Sequence, residues 1–104
     1  MSKVKHIILW KLRDDICESD IAGIKRDIKV SLEDLKGKIP GLLEIHVVID
    51  KLPSSNMDVM LDSLFESEEA LKVYATHPEH VAVADGKVRP YTMSRNCIDY
   101  IVSD

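Results

Sequence analysis

The residues best equipped for chemistry near neutral pH are four histidines, two cysteines and one tyrosine: His6, His46, His77, His80, Cys17, Cys97 and Tyr74. An imidazole titrates close to neutrality, so His80 reads either as the general base of a pocket or as a half-buried ring steadying a helix junction. Tyr74, upstream of it, is either a pocket phenol or a core aromatic with its hydroxyl at the rim. His6 either lines the same space or is a satisfied core histidine. His77 directly precedes Pro78, where helix capping accounts for it, and His46 is expected on an exposed strand face. His77 and His80 form a pair without an evident cysteine or carboxylate third ligand, which is weak evidence for a site, so no metal is expected. Cys17 and Cys97 match no metal or redox spacing and are expected as two reduced thiols. Asp14, Asp15, Glu18 and Asp20 cluster where a helix dipole explains them. None of these groups forms a self-sufficient catalytic motif.

The elements that must position these groups are legible in the hydrophobic period, in the order βαββαβ. Val4 to Arg13 is apolar on both faces, with His6, Ile8, Trp10 and Leu12 on one and Ile7 and Leu9 on the other. Such a strand is central and covered twice. After a Ser19 N-cap, Ile21, Ile24, Ile28, Leu32, Leu35 and Ile39 predict a five-turn amphipathic helix stopped by Pro40 and Gly41. Leu43, Ile45, Val47 and Ile49 then alternate with Glu44, His46, Val48 and Asp50 as a second strand. Turn chemistry over residues 51–56 leads to a third strand, Met57 to Glu66. Ser67 caps a helix that turns Ala70, Leu71 and Tyr74 inward. Pro78 interrupts it and opens a second short helix to about Val88. The last strand, from Met93 or Arg95 to Val102, returns beside the first.

Right-handed crossovers place both helices on one side of the four-stranded antiparallel sheet, giving an α+β, ferredoxin-like fold. The bare side carries Ile7, Leu9, Met60 and Leu64, a larger apolar strip than a soluble monomer exposes. A homodimer packed sheet against sheet, forming a two-fold α+β barrel, is the expected cover. Asp62 on that side needs a cationic partner, for which Lys11 and Arg95 are the candidates.

Composition narrows the classes further. The 104 residues suit a single domain, 1–104, burying roughly two thirds of its unfolded surface. Apolar residues at 45% and charged residues at 31% exclude a disordered chain. A net charge of −4 argues against a phosphate-binding surface, so nucleic acid is not an expected partner. No segment approaches a membrane span or signal peptide, and a cytoplasmic location is expected.

Three stretches carry a family resemblance: Val4-Lys5-His6-Ile7-Ile8-Leu9-Trp10-Lys11-Leu12, the Phe65-Glu66-Ser67 junction, and Tyr74-Ala75-Thr76-His77-Pro78-Glu79-His80. Together with Pro40-Gly41 and Asp99-Tyr100, the sequence resembles the stress-responsive A/B barrel, or Dabb, domains. That resemblance implies a pocket between sheet and helices lined by His6, Ile8, Trp10, Ile28, Leu32, Val59, Leu61, Tyr74 and His80. In plant relatives that cyclise polyketides, the Tyr and second His of this motif are the catalytic pair, which implies Tyr74 and His80 here. A neutral imidazole can remove a proton from carbon beside a carbonyl while a phenol holds the oxyanion. Two features depart from those cyclases. Met57-Asp58-Val59 stands where they carry a Tyr-Thr-His stretch, and Trp10 replaces a smaller aliphatic residue, bringing about 200 Å² of surface into the pocket.

The leading expectation is therefore a dimer that binds a small organic molecule, with proton-transfer chemistry of cyclase or isomerase type. The competing one is a non-catalytic stress or assembly dimer whose pocket Trp10 fills. A haem monooxygenase shares the barrel, but no residue is singled out as a haem ligand, and no cofactor is expected.

Overall fold

The computed structural model describes residues 2–102; the predicted domain limits, 1 and 104, lie outside the described residues. The chain order is β1 (Lys3–Leu12), α1 (Glu18–Glu33), β2 (Leu42–Val48), β3 (Val59–Phe65), α2 (Glu68–Thr76), α3 (Pro78–Val83) and β4 (Thr92–Val102). Between α3 and β4 the chain makes a π-helical turn, Ala84–Val88, and a short 3₁₀ turn, Arg89–Tyr91. The strands form one antiparallel sheet in the order β2-β3-β1-β4. The fold is ferredoxin-like, as the sequence predicts.

β1 is central because it is apolar on both faces. Val4, His6, Ile8, Trp10 and Leu12 are buried on the helix side, while Ile7 and Leu9 are half-buried on the other. Its pairings, Ile8 with Leu61 and His6 with Ser63, put the inward residues of β3 beside those of β1. Phe65 meets Tyr74 of α2 edge-on, with centroids 4.9 Å apart, a geometry worth about 0.5–1.5 kcal/mol beyond area burial. Ile28, Leu32 and Leu35 complete the core from the helix layer.

Local chemistry sets the boundaries. Cys17, not Ser19, is the N-cap of α1, and no side chain caps it. The helix stops at Glu33 rather than near Ile39, because residues 34–40 form turns that use Gly37 at φ +88°. Leu35 and Ile39 still reach the core from those turns, which is why the apolar period runs past the helix. β2 starts on buried Leu42, and a register shift between Leu42 and Glu44 sets Leu43 aside from the alternation. At the outer edge of β2, Glu33 accepts the Val47 N–H at 2.9 Å and Lys29 donates to the Val47 carbonyl at 2.6 Å. These bonds close an edge otherwise open to strand addition. The Ser67 hydroxyl accepts the Ala70 N–H, so that cap is as predicted.

The sheet side away from the helices carries Ile7, Leu9, Met60 and Leu64, extended by exposed Val48, Ile98 and Tyr100. Asp62 on this side pairs with Lys5 at 2.7 Å, correcting the expectation of Lys11 or Arg95. Lys5 and Asp62 are diagonal neighbours across β1 and β3, so neither side chain has far to reach. His46 is exposed opposite Asp62.

Candidate functional site

A cavity of about 380 Å³ lies between the sheet and the helix layer. His6, Ile8 and Trp10 of β1, Leu61 of β3, Leu32 of α1, Tyr74 of α2 and His80 of α3 all line it. Ile28 and Val59, also expected there, are instead sealed in the core. Trp10 forms a wall of this cavity, and its indole leaves the stated volume open beside it.

His77 makes the site possible without joining it. Its backbone is extended, with ψ 132°, as a residue before proline must be. Its Nδ1 accepts the Glu79 N–H at 3.1 Å, ending α2 and starting α3 at once. The resulting bend brings His80 back over Tyr74, with ring centroids 4.1 Å apart and planes tilted by 33°.

The electrostatics of this pair follow from burial. Tyr74 is 1% exposed; burial pushes its phenol well above the ordinary value, and the positive charge of Arg95 opposes this only in part. It is a neutral hydrogen-bond donor at any physiological pH. Burial pulls the His80 pKa down, with the Ala75 carbonyl offsetting part of the effect and His6, Arg89 and Arg95 adding to it. The imidazole is neutral at neutral pH and free to accept a proton. Tyr74 Oη and His80 Nδ1 are both buried with no hydrogen-bond partner among the described residues. A buried polar atom left unsatisfied costs about 1–3 kcal/mol, so such a pair in one cavity points to a function.

Sequence reasoning missed the far wall. Arg89 from the 3₁₀ turn and Thr92, Ser94 and Arg95 from β4 also line the cavity. Arg95 pairs directly with Trp10 across β1 and β4; that strand register was the signal, and local pattern does not contain it. The same register brings His6, Cys97 and Asp99 together at the junction of β1 and β4.

The ferredoxin-like sheet, with a helix-covered cavity framed by the Tyr-x-x-His-Pro-x-His segment, defines an α+β barrel domain. The chain belongs to the Stress Responsive A/B Barrel Domain (Dabb) family, which it matches over residues 4–102. A dimeric protein of unknown function with a ferredoxin-like fold from Bacteroides fragilis is 36% identical, covers 98% of both chains and superposes with a TM-score of 0.89. Olivetolic acid cyclase from Cannabis sativa is 28% identical over 85 residues, 79% of this chain and 80% of that protein. Hydroxynitrile lyase from Passiflora edulis shares the fold at a TM-score of 0.74 and 18% identity, covering 99% of this chain and 95% of its own. No helix among the described residues is long and apolar enough to cross a membrane.

Proposed function

We propose that this domain works as a cytoplasmic homodimer that binds a small carbonyl compound in its cavity and moves a proton on it, in a cyclisation or isomerisation. His80 is the base. It takes the proton from the carbon beside the carbonyl, and the electron pair of the broken C–H bond moves onto the carbonyl oxygen. Tyr74 Oη donates a hydrogen bond to that oxyanion. Return of the proton to another carbon completes an isomerisation, whereas attack of the carbanion on a second carbonyl closes a ring.

The observation that carries this reading is the pair of unsatisfied polar atoms, Tyr74 Oη and His80 Nδ1, on two residues that line one cavity. A ligand that reaches them would complete their hydrogen bonding, and the two supply opposite halves of a proton transfer. The similarity to olivetolic acid cyclase supports the class of reaction. The apolar sheet side and the dimeric relative support self-association, and two exposed free thiols suit a reducing compartment.

Trp10 is the one tryptophan of the chain and lines the cavity, so its fluorescence reports occupancy directly. A panel of β-keto and polyketo acids and thioesters is expected to shift its emission saturably, and His80→Ala to abolish any turnover. Indifference of Trp10 across the panel favours the non-catalytic dimer instead.

A further inference from the structure

The β1–β4 pairing sets Asp99 directly across from His6 and Cys97 directly across from Ile8, with all three side chains on the helix side of the sheet. His6 Nδ1 lies 2.5 Å from Asp99 Oδ1. Cys97 Sγ lies 3.4 Å from the same carboxylate oxygen and 3.8 Å from the same ring nitrogen. Each residue therefore offers one donor atom to a shared point, and the donors sit on paired strands rather than on a loop.

We propose that His6 Nδ1, Cys97 Sγ and Asp99 Oδ1 bind one divalent cation of the zinc class, leaving a fourth position open to solvent. Zinc bonds of about 2.0–2.3 Å at tetrahedral angles hold such donors about 3.3–3.6 Å apart. Both edges to sulfur, 3.4 and 3.8 Å, already agree to within about 0.3 Å. The nitrogen–oxygen edge has to widen from 2.5 Å by about 0.8 Å, and Asp99, whose side chain is 44% exposed, has the freedom to turn.

The donor set selects the ion. A thiolate, an imidazole and a carboxylate suit zinc and its borderline neighbours, whereas magnesium and calcium require oxygen ligands throughout. Thiolate and carboxylate together neutralise the dication, so the occupied site presents no net charge to the nearby Arg95 guanidinium. Without an ion, burial and the Asp99 carboxylate push the Cys97 thiol pKa up, so Cys97 is not an activated nucleophile. Ion binding displaces that thiol proton.

Support for the first ligand is built in. The His6 carbonyl accepts the buried Ser63 hydroxyl at 2.8 Å, and its ring sits edge-on to Phe65 and Tyr74. Coordination through Nδ1 leaves the His6 proton on Nε2. Because the trio lies opposite the apolar sheet side, sheet-to-sheet dimerisation leaves it accessible. The site uses neither Tyr74 nor His80 and stands independently of the proposed proton transfer.

The test uses full-length protein, freed of metal and kept reduced by a non-chelating phosphine. Titration with Zn²⁺ against a chromophoric chelator is expected to give one ion per chain, and Co²⁺ a thiolate-to-metal charge-transfer band. Cys97→Ser should remove the band, and both Cys97→Ser and Asp99→Asn should weaken Zn²⁺ binding at least about tenfold. Cys17→Ser should change neither. Both ligand substitutions fall at exposed positions, so retained circular dichroism separates lost binding from lost fold. A cobalt spectrum without the band, a band that follows Cys17, or Zn²⁺ affinity unmoved by Cys97→Ser overturns the site.

Discussion

The Tyr74 ring lies 4.1 Å from the His80 imidazole, yet neither Tyr74 Oη nor His80 Nδ1 has a hydrogen-bond partner among the described residues. The pair stacks without bonding. Tyr74→Phe should therefore raise stability by about 1 kcal/mol, since it deletes an unsatisfied hydroxyl while keeping the ring packed on Phe65. The same change should weaken ligand responses about tenfold or more. Thermal denaturation and Trp10 titration read the two effects separately, and a loss of stability in Tyr74→Phe would mean the hydroxyl has a structural partner.

The pH dependence follows from His80. A base must be unprotonated to act, and burial holds this imidazole below its ordinary 6.5. The acidic limb of kcat/KM should accordingly lie below pH 6.5, with a plateau through neutrality. Because the folded pKa is depressed, the neutral ring favours the fold above pH 6.5, and that contribution fades as pH falls through the folded value. Tyr74 is shifted upward, so its ionisation should cause no loss of activity near pH 10. An acidic limb above 6.5 that persists in His80→Gln would assign the titration to another group.

How far these features were legible depends on whether their cause is local. The alternation of β1, the Ser67 cap and the His77 cap are short-range chemistry, and the sequence displays them directly. Tyr74 and His80 were legible through their motif, and Pro78 explains how they meet. The end of α1 was not, because Leu35 and Ile39 keep a helical period while packing from turns. Lys5 with Asp62, Arg95 beside Trp10, and the His6-Cys97-Asp99 trio all depend on which residues face each other across strands. A one-residue change of register would separate every one of them.

Two glycines should respond in opposite directions. Gly41 sits at φ +84°, and a Cβ there would lie 2.5 Å from the Ala70 Cβ. Gly41→Ala is expected to cost about 2 kcal/mol or more, combining left-handed strain with displacement of α2 from β2. Gly23 lies exposed within α1 with nothing within 4 Å of an added Cβ, so Gly23→Ala should gain about 0.5–1 kcal/mol of helix propensity. Urea denaturation of the two variants measures both. Equal effects would show that neither backbone conformation nor the Ala70 approach decides the outcome.

The apolar sheet side yields the prediction on which the barrel rests. Leu9 is half-buried there between Met60 and Asn96, in a strip that continues to Ile98 and Tyr100. If a second copy covers this strip, Leu9→Glu would strand a carboxylate in an apolar interface, and the desolvation cost should drive the assembly apart. Its own fold should survive, because Leu9 points away from the core that holds Ile8 and Trp10. Val30→Glu, at an exposed position on α1, adds the same charge away from the strip and should leave the assembly intact. Sedimentation velocity at micromolar concentration distinguishes the cases, since the native chain and Val30→Glu should run as dimers and Leu9→Glu as a monomer. Were Leu9→Glu to sediment as a dimer, the two copies would have to meet through another surface, and the exposed strip would need a different occupant.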